Sequence, residues 1–243
     1  MSQWAKDAAA PFEGWDFSYL NQRMVEGEPP WDYAALARGA CQHAQNILDV
    51  ATGGGEALAA LAPFAGRVTA VEGYPPNIEV ARRRLGPLGI EVFKGNTASG
   101  MPFGDATFDL VLNRHGGFRP AEMHRILQPG GTYLTQQVAG DNLADLAEAF
   151  GTGQAYPQNT LDRVSEQMLA LGFTLRRAEN WRGTVSFLDV GAIVYFLKAI
   201  PWVVQGFDLE THRPHLMALD EQRKSGCPLV FSYTRFLIEA VKS

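Results

Sequence analysis

The sequence has few cysteines, no long apolar run and no excess of positive charge. Its 243 residues include only Cys41 and Cys227, which are too few for a disulfide framework or a cysteine-based zinc cage. No stretch of about 18 apolar residues occurs, which excludes a membrane-spanning helix. The N-terminal stretch MSQWAKDAAAPFEGW lacks an apolar signal core, and we therefore expect a cytoplasmic protein. The formal net charge of −5 argues against an extended interface with duplex nucleic acid.

Two common phosphate-binding signatures and any metal motif are also missing. Read from Gly53, the third glycine of the dinucleotide fingerprint would fall on Leu58. No Gly-Lys-Ser/Thr follows the glycines, which excludes a P-loop. The histidines show no ligand spacing with carboxylates, and we expect no metal site.

What is present is an alternation of short β-rich runs and helical runs from residue 46 onward. The predicted strands are 46–51, 67–72, 90–95, 108–113 and 132–138, and the predicted helices between and after them are 56–61, 77–85, 121–127, 142–150 and 160–171. Such alternation is typical of a parallel sheet with helices on both faces. At 46% hydrophobic residues, the chain can bury a core of that size.

The two ends of the chain depart from this rhythm. Residues 1–45 are rich in aromatics and are predicted to form a helical cap over the sheet. Residues 175–188 read as a further strand, and 189–200 have helical periodicity. A polar helical stretch at 207–225 precedes a final β segment at 229–241, which indicates a lid inserted before the last strand.

The strongest chemical signal is a glycine turn flanked by two acids. Asp49 lies near the end of the first predicted strand, and Gly53, Gly54 and Gly55 open the next helix. A carboxylate there repels a pyrophosphate and attracts an ammonium group. Glu72 ends the next strand, where an acid can accept both hydroxyls of a ribose. These two acids therefore predict a ligand that is a nucleoside and also carries a positive charge. S-adenosylmethionine has both features.

These motifs resemble the class I S-adenosylmethionine-dependent methyltransferases, in the branch that includes the ubiquinone and menaquinone biosynthesis methyltransferases. The similar segments are ILDVATGGGE, VTAVEGY, KGNTASGMPFGDATFDLVLNRHG and RILQPGGTYLTQQV, which together cover about residues 47–138. Over the whole chain the sequence is more loosely similar to bacterial proteins of that branch. The resemblance implies a Rossmann-like, seven-stranded α/β sheet, mostly parallel with an antiparallel last strand. Its expected organisation is a cap at 1–45 and a methyltransferase domain at 46–243, with a lid at about 189–226.

The resemblance also implies the cofactor contacts, and it shows two departures from the family pattern. The implied roles are Asp49 for the methionine amino group through water, Ala51, Gly53 and Gly55 for close approach of the methionine end, Glu72 for the ribose, Gly73 and Tyr74 beside the adenine, Asn96, Thr97 and Ala98 along the adenine edge, and Asn113 and Arg114 beside the methyl group. Ala51 replaces the first motif glycine, which is tolerable at negative φ. Asn96 replaces a frequent Asp and keeps an acceptor oxygen without the charge.

The reactive side of the site is less determined by the sequence. His115 is the candidate general base, because its ordinary pKa lies near neutrality; alternatively it closes the loop through backbone hydrogen bonds. Arg114 is unusual beside a sulfonium, and it pairs either with Glu122 or with an acidic substrate. The segment Asn113–Gly116 is not the signature of amino-group methylation of bases and glutamine.

The predicted function is methyl transfer from S-adenosylmethionine to a small molecule, with S-adenosylhomocysteine as the product. An RNA-base methyltransferase is the alternative that the net charge disfavours. A protein that binds the donor without catalysis is the other. The sequence carries no signal of oligomeric state.

Overall fold

Short apolar strands, most of them followed by a helix, build one mixed sheet. The computed structural model describes residues 3–13, 15–97 and 100–243. The strands are β1 (Met24–Glu26), β2 (Asn46–Val50), β3 (Arg67–Glu72), β4 (Glu91–Lys94), β5 (Phe108–Arg114), β6 (Leu127–Val138), β7 (Phe173–Phe187) and β8 (Leu229–Lys242). The α-helices are α1 (Gln3–Ala9), α2 (Tyr33–Cys41), α3 (Glu56–Ala59), α4 (Pro75–Leu85), α5 (Pro120–Ile126), α6 (Ala144–Ala149), α7 (Leu161–Ala170), α8 (Val190–Ala199) and α9 (Arg213–Lys224).

The strand order across the sheet is β1-β7-β8-β6-β5-β2-β3-β4. The pairs formed by β2 with β3, β3 with β4, β2 with β5 and β5 with β6 are parallel. The last strand, β8, runs antiparallel to β6 and β7, as expected. Because β2 is flanked by β3 on one side and β5 on the other, the chain switches direction across the sheet there. Ligands of open α/β sheets bind in the crevice at the carboxyl ends of such strands.

The expected number of strands was wrong by one. The described residues form eight strands instead of seven, because Met24–Glu26 in the predicted helical cap pairs antiparallel with β7. Met24 lies opposite Phe187, and Glu26 lies opposite Val185. A three-residue strand is too short to show a period in the sequence. It covers part of an otherwise open edge of β7, and short edge strands limit unwanted pairing.

Strand β6 begins earlier than predicted. The segment Pro129-Gly130-Gly131 was expected to precede the strand, but β6 starts at Leu127 and runs through it. The pairing with β5 shifts register between Phe108 and Leu110, and Gly130 has a φ of +77°. Proline and left-handed glycine are tolerated in a strand at such an irregularity.

The predicted lid at 189–226 is corrected in its first half. In α8, every residue except Lys198 is buried, and the helix packs in a core with residues of β7, β8 and α9. A helix that is apolar on all sides belongs inside a protein. In α9, by contrast, only Leu216 and Leu219 are buried. The division into a cap at 1–45 and a domain at 46–243 stays a prediction.

Alternate residues of the central strands pack on opposite faces of the sheet. Ile47 of β2 lies in a core with residues of α2, α3 and α4, whereas the adjacent Leu48 packs with α5 and α7. Asp49 is therefore directed to the face of Ile47. Fully burying one such leucine or isoleucine contributes about 1.5–3 kcal/mol to stability.

A buried ion-pair network ties the N-terminal segment to α8. Asp7 of α1 is fully buried and accepts a hydrogen bond from Arg23 Nη1 at 2.9 Å and one from Tyr19 Oη at 2.8 Å. Arg23 also binds both oxygens of Asp189, through Nε at 2.9 Å and Nη2 at 2.6 Å. Asp189 in turn caps α8 by accepting from Ala192 N. A Cβ on Gly191 would overlap Asp7, so glycine is required for this close approach.

Candidate active site

The two predicted cofactor acids lie at the ends of neighbouring strands on one face of the sheet. Asp49 in β2 pairs with Ala70 in β3, and Glu72 lies two residues after Ala70. Since alternate residues of a strand share a face, Asp49 and Glu72 point to the same side. Val50 pairs with Asn113 of β5, which brings the end of the third strand to the same edge.

Glu72 links the glycine turn to the end of its own strand. Its Oε2 accepts from Gly53 N at 2.7 Å, and its Oε1 accepts from Tyr74 N at 2.6 Å. The residue is only 6% exposed. A carboxylate offers about four lone-pair positions, so each oxygen keeps one for a further donor. The geometry thus leaves Glu72 able to accept two hydroxyl groups while it holds the turn.

The carboxyl group of Asp49 has a raised pKa. Burial raises its pKa to about 7, and the negative charge of Glu72 adds to the shift. The phenol of Tyr33, from α2, lies close enough that the Asp49 charge raises its pKa further, beyond the dominant effect of burial. A cation at this position would restore the ionised form of Asp49.

The glycine turn is held in a left-handed conformation that leaves little room for side chains. Gly53 has a φ of +63° and Gly55 a φ of +83°, and a Cβ on Gly55 would lie 2.8 Å from Leu85 Cγ. The turn then opens α3 with Gly55 as its N-cap. The side chain of buried Thr52 forms a hydrogen bond with Asp49 that lowers the pKa of that carboxyl group, against the larger effect of burial.

A cleft of about 400 Å³ lies where the adenine is expected. It is lined by Gly73, Lys94, Gly95, Asn96, Gly100, Met101 and Pro102. A Cβ on Gly73 would come within 3.1 Å of Asn96 Cβ, so glycine keeps this cleft open. Tyr74 is largely exposed beside it. Thr97 is buried and donates to Gly117 O at 3.2 Å, which ties the loop after β4 to the loop after β5. Ala98 lies outside the described residues.

Asn113 is buried and supports the loop after β5. Its Oδ1 accepts from Gly116 N at 3.1 Å and from Gln137 Nε2 at 2.9 Å. Its Nδ2 has no partner within the described part of the chain. An orphaned buried donor at the strand end has the capacity for a ligand acceptor.

His115 belongs to a chain of hydrogen bonds that sequence reasoning did not find. Trp31 Nε1 donates to Gln136 Oε1 at 2.7 Å, and Gln136 Nε2 lies 2.8 Å from His115 Nε2. Because the indole can only donate, the Gln136 oxygen accepts, and its amide nitrogen donates to the imidazole. His115 therefore carries its proton on Nδ1. Burial holds its pKa well below the usual range, and the nearby Arg235 and Arg114 lower it further. This arrangement favours a neutral donor over a base.

Arg114 lies apart from the carboxylate that the sequence suggested for it. Glu122 instead binds Arg125 Nη2 at 2.7 Å and accepts from Met101 N at 2.8 Å. Arg114 is exposed, and within 3–13, 15–97 and 100–243 its side chain forms no ion pair or hydrogen bond. Arg235 also lies in this region, although the sequence analysis did not name it. It could have been noticed in the sequence, because it is a charged residue that interrupts the apolar run of β8.

Aromatic side chains cover the site from two distant parts of the chain. Trp15 Cβ lies 3.6 Å from the position that a Cβ on Gly53 would take. The Trp15 ring stacks on Trp202 with a centroid separation of 5.9 Å and an interplanar angle of 1°. Tyr195 and Phe196, by contrast, lie in the core around α8.

Two non-glycine residues at the site have left-handed backbone. Ala51 has a φ of +59° and His115 a φ of +62°. The condition under which Ala51 would be tolerated, a negative φ, is thus not met. A Cβ on Gly116 would overlap Ala51 Cβ, so the alanine methyl occupies space that Gly116 leaves free. Strained residues of this kind cluster at functional sites.

Replacing Ala51 with glycine is expected to stabilise the protein slightly. The left-handed conformation costs an alanine about 1–2 kcal/mol, and glycine loses about 0.5–1 kcal/mol of extra backbone entropy. We expect a rise in Tm of about 1–4 °C by calorimetry. Affinity for S-adenosylhomocysteine should rise as well, by about two- to five-fold, since 1.4 kcal/mol corresponds to ten-fold.

Ala106→Gly is the matched control, because Ala106 has a φ of +49° and is exposed away from the site. It should share the gain in Tm and leave the affinity unchanged. A lower Tm for Ala51→Gly would contradict the strain argument.

The described part of the structure contains neither a candidate metal site nor a candidate membrane-spanning helix. Within it, no group of three or more His, Cys, Asp or Glu side chains is placed to hold a metal ion. None of its helices is long and apolar enough to cross a membrane.

Comparisons with known proteins identify the central segment. Residues 47–131 match the family described as "Methyltransferase domain". A demethylmenaquinone methyltransferase of Deinococcus radiodurans is 34% identical over 127 residues, which cover 47% of this chain and 52% of that protein. The central segment, residues 47–131, is therefore a methyltransferase domain of the kind that the motifs predict. The match spans about half the length of that curated relative.

Solved structures show the same fold as this chain. A Bacillus halodurans protein assigned to the methyltransferases superposes with a TM-score of 0.63 at 22% identity, covering 87% of this chain and 98% of that one. A methyltransferase from Thiobacillus denitrificans, solved in complex with S-adenosyl-L-homocysteine, gives a TM-score of 0.51 at 17% identity and covers 85% of this chain and 90% of that one. The family predicted from the motifs is confirmed, and the cofactor residues stay predictions.

Proposed function

We propose that the protein transfers a methyl group from S-adenosylmethionine to a small-molecule acceptor. The observation that carries this proposal is the placement of Asp49 and Glu72 on adjacent strands and one face, beside a left-handed glycine turn. The two acids belong to a methyltransferase domain. Their spacing suits a ligand with an ammonium group at one end and a ribose beside it.

The residues present fit this cofactor. Glu72 is nearly enclosed and keeps lone pairs for both ribose hydroxyls. The cleft at Gly73 and Asn96 offers about 400 Å³ for a purine. The buried amide nitrogen of Asn113, Nδ2, lacks a partner in the described structure and can therefore donate to a ligand.

When bound, S-adenosylmethionine supplies an electrophilic methyl group on a sulfonium. The protein then acts mainly by positioning and by excluding water. Asp49 holds the ammonium, and Glu72 holds the ribose and the glycine turn together. His115, kept neutral and fixed by Gln136, presents Nδ1–H as a hydrogen-bond donor. Trp15 and Trp202 cover the turn from outside.

Calorimetric titration with S-adenosylhomocysteine tests the cofactor half of the proposal through its pH dependence. With a pKa of about 7, Asp49 is mostly protonated at pH 6 and mostly ionised at pH 8. Only the ionised form attracts the ammonium, so affinity should rise about ten-fold between these pH values. Asp49→Asn should bind weakly and lose this dependence. Asp105→Asn, at an exposed carboxylate, serves as the control.

Transfer itself is tested with donor labelled in its methyl group, incubated with metabolite and RNA fractions. Label in a small molecule supports the proposal. Label confined to RNA would replace it with the RNA alternative, and binding without any transfer would indicate a non-catalytic protein.

A further inference from the structure

The sheet face beyond the end of β5 carries a group of polar residues that the cofactor contacts do not use. Arg114 pairs with Gln136 on β6, Gln136 pairs with Leu237 on β8, and Arg235 lies two residues from Leu237. Directly paired residues and residues two apart share a face, so Arg114, Gln136 and Arg235 all point to the same side. From strand spacing and rise, the two arginine backbones lie on the order of 10 Å apart. Besides burial, both arginines lower the pKa of His115, so their guanidinium groups lie near this histidine on one side of the sheet.

Arg235 is almost completely buried without a bonded carboxylate. It is 6% exposed, and its Nη1 donates to Asn142 Oδ1 at 2.8 Å and to Thr234 O at 2.7 Å. Its guanidinium lies 3.7 Å from the centroid of the Tyr233 ring. In the described parts of the chain, Nε and Nη2 form no further hydrogen bond of ordinary geometry, and the Tyr233 side chain is the other polar group that interacts with the guanidinium. Burying an arginine whose N–H donors lack acceptors is energetically unfavourable unless a ligand supplies those acceptors.

The charges around this group do not balance. Glu26 is the carboxylate near Arg235, and it already accepts from Tyr233 Oη. Burial lowers the pKa of Arg235, and the positive charge of Arg114 lowers it further, against the opposing effects of Tyr233 and Glu26. Arg114 has no ion-pair partner among the described residues. Two cations thus face one carboxylate, beside the place where a cationic methyl donor would bind.

We propose that the methyl acceptor is a small organic anion whose carboxylate is bound by Arg114 and Arg235, with His115 Nδ1–H as a third donor. A planar carboxylate matches the fork of a guanidinium, and one negative charge balances the excess of this group. Trp31 and Tyr33 supply an apolar wall, since Trp31 binds Gln136 and Tyr33 reaches the β6 backbone at Leu134 O. The inference rests on the proposed function and specifies its substrate class.

The test is a thermal-shift and calorimetric screen at saturating S-adenosylhomocysteine. The probes are benzoate, salicylate and phenylacetate, each paired with its neutral primary amide, together with inorganic phosphate. We expect at least one carboxylate to raise Tm while its amide does not. Arg114→Gln should weaken that carboxylate at least ten-fold, because Arg114 is exposed and the variant keeps the fold. Arg176→Gln, at an exposed arginine near the opposite end of β7, is the matched control and should change nothing.

Arg235→Lys is a second test, because it keeps the positive charge but removes the planar guanidinium that can bind both carboxylate oxygens. It should weaken binding of the carboxylate probe as well. The assignment is overturned if amides bind as well as acids, if phosphate alone binds, if no carboxylate binds, or if both arginine variants stay within two-fold of the wild type. A protein that binds S-adenosylhomocysteine and methylates a neutral molecule or RNA refutes only this assignment. A protein that does not bind S-adenosylhomocysteine refutes the proposed function and this assignment with it.

Discussion

Glu72→Gln is expected to weaken binding of S-adenosylhomocysteine by about 100-fold. The carboxylate accepts from Gly53 N and Tyr74 N and keeps lone pairs for the ribose. A glutamine amide has one oxygen, so its NH2 group must face either one of these backbone donors or a ribose hydroxyl. Hydrogen bonds to charged groups contribute about 1.5–3 kcal/mol each, and 1.4 kcal/mol corresponds to ten-fold in affinity.

Calorimetric titration measures this loss, and circular dichroism checks that the variant is folded. Glu79→Gln is the control, because Glu79 lies on α4 and pairs with Arg82 at the surface. It should bind like the wild type. If Glu72→Gln binds within three-fold of the wild type, Glu72 does not hold the ribose.

Arg23→Ala is expected to lower the free energy of unfolding by about 3–5 kcal/mol. The substitution leaves fully buried Asp7 without its cation, and removing one partner of a buried pair carries a cost of this size. Burial alone would raise the pKa of Asp189, but the hydrogen bonds from Arg23 and from backbone amides hold that pKa below its ordinary value. The arginine therefore favours the ionised form of Asp189.

A Tm about 10 °C lower in differential scanning calorimetry would match that energy. Arg67→Ala is the control, since the Arg67–Glu91 pair spans 3.9 Å and both side chains are mostly exposed. Exposed pairs contribute about 0–1 kcal/mol. Equal losses of Tm in the two variants would show that the Asp7–Arg23–Asp189 network has no special role.

The sequence predicted those parts of the site that depend on local pattern. The apolar runs that end at Asp49 and Glu72, each followed by a turn and a helix, gave the strands and their order. Parallel pairing then brought the two acids to one edge, as expected from the fold class. The helix predicted at 160–171 is present as α7, and Thr160 caps it by accepting a hydrogen bond from Arg163 N.

Features that depend on distant contacts could not be predicted in this way. Trp31 and Gln136 are 105 positions apart, and no local pattern joins them. The left-handed backbone of Ala51 follows from packing against the loop after β5, which the residue type does not reveal. The sequence left open whether Arg114 pairs with Glu122 or with an acidic substrate. Only the structure shows that Glu122 is already paired with Arg125.

The stacked tryptophans have a consequence for the order of events during turnover. Trp15 rests against the glycine turn, and its partner Trp202 comes from the far end of the chain. Asp7 and Arg23 hold the N-terminal segment on α8, which leads into Trp202. If the proposed cofactor binds at this turn, we expect its product to leave past Trp15, and its departure would then be coupled to the docking of the N-terminal segment.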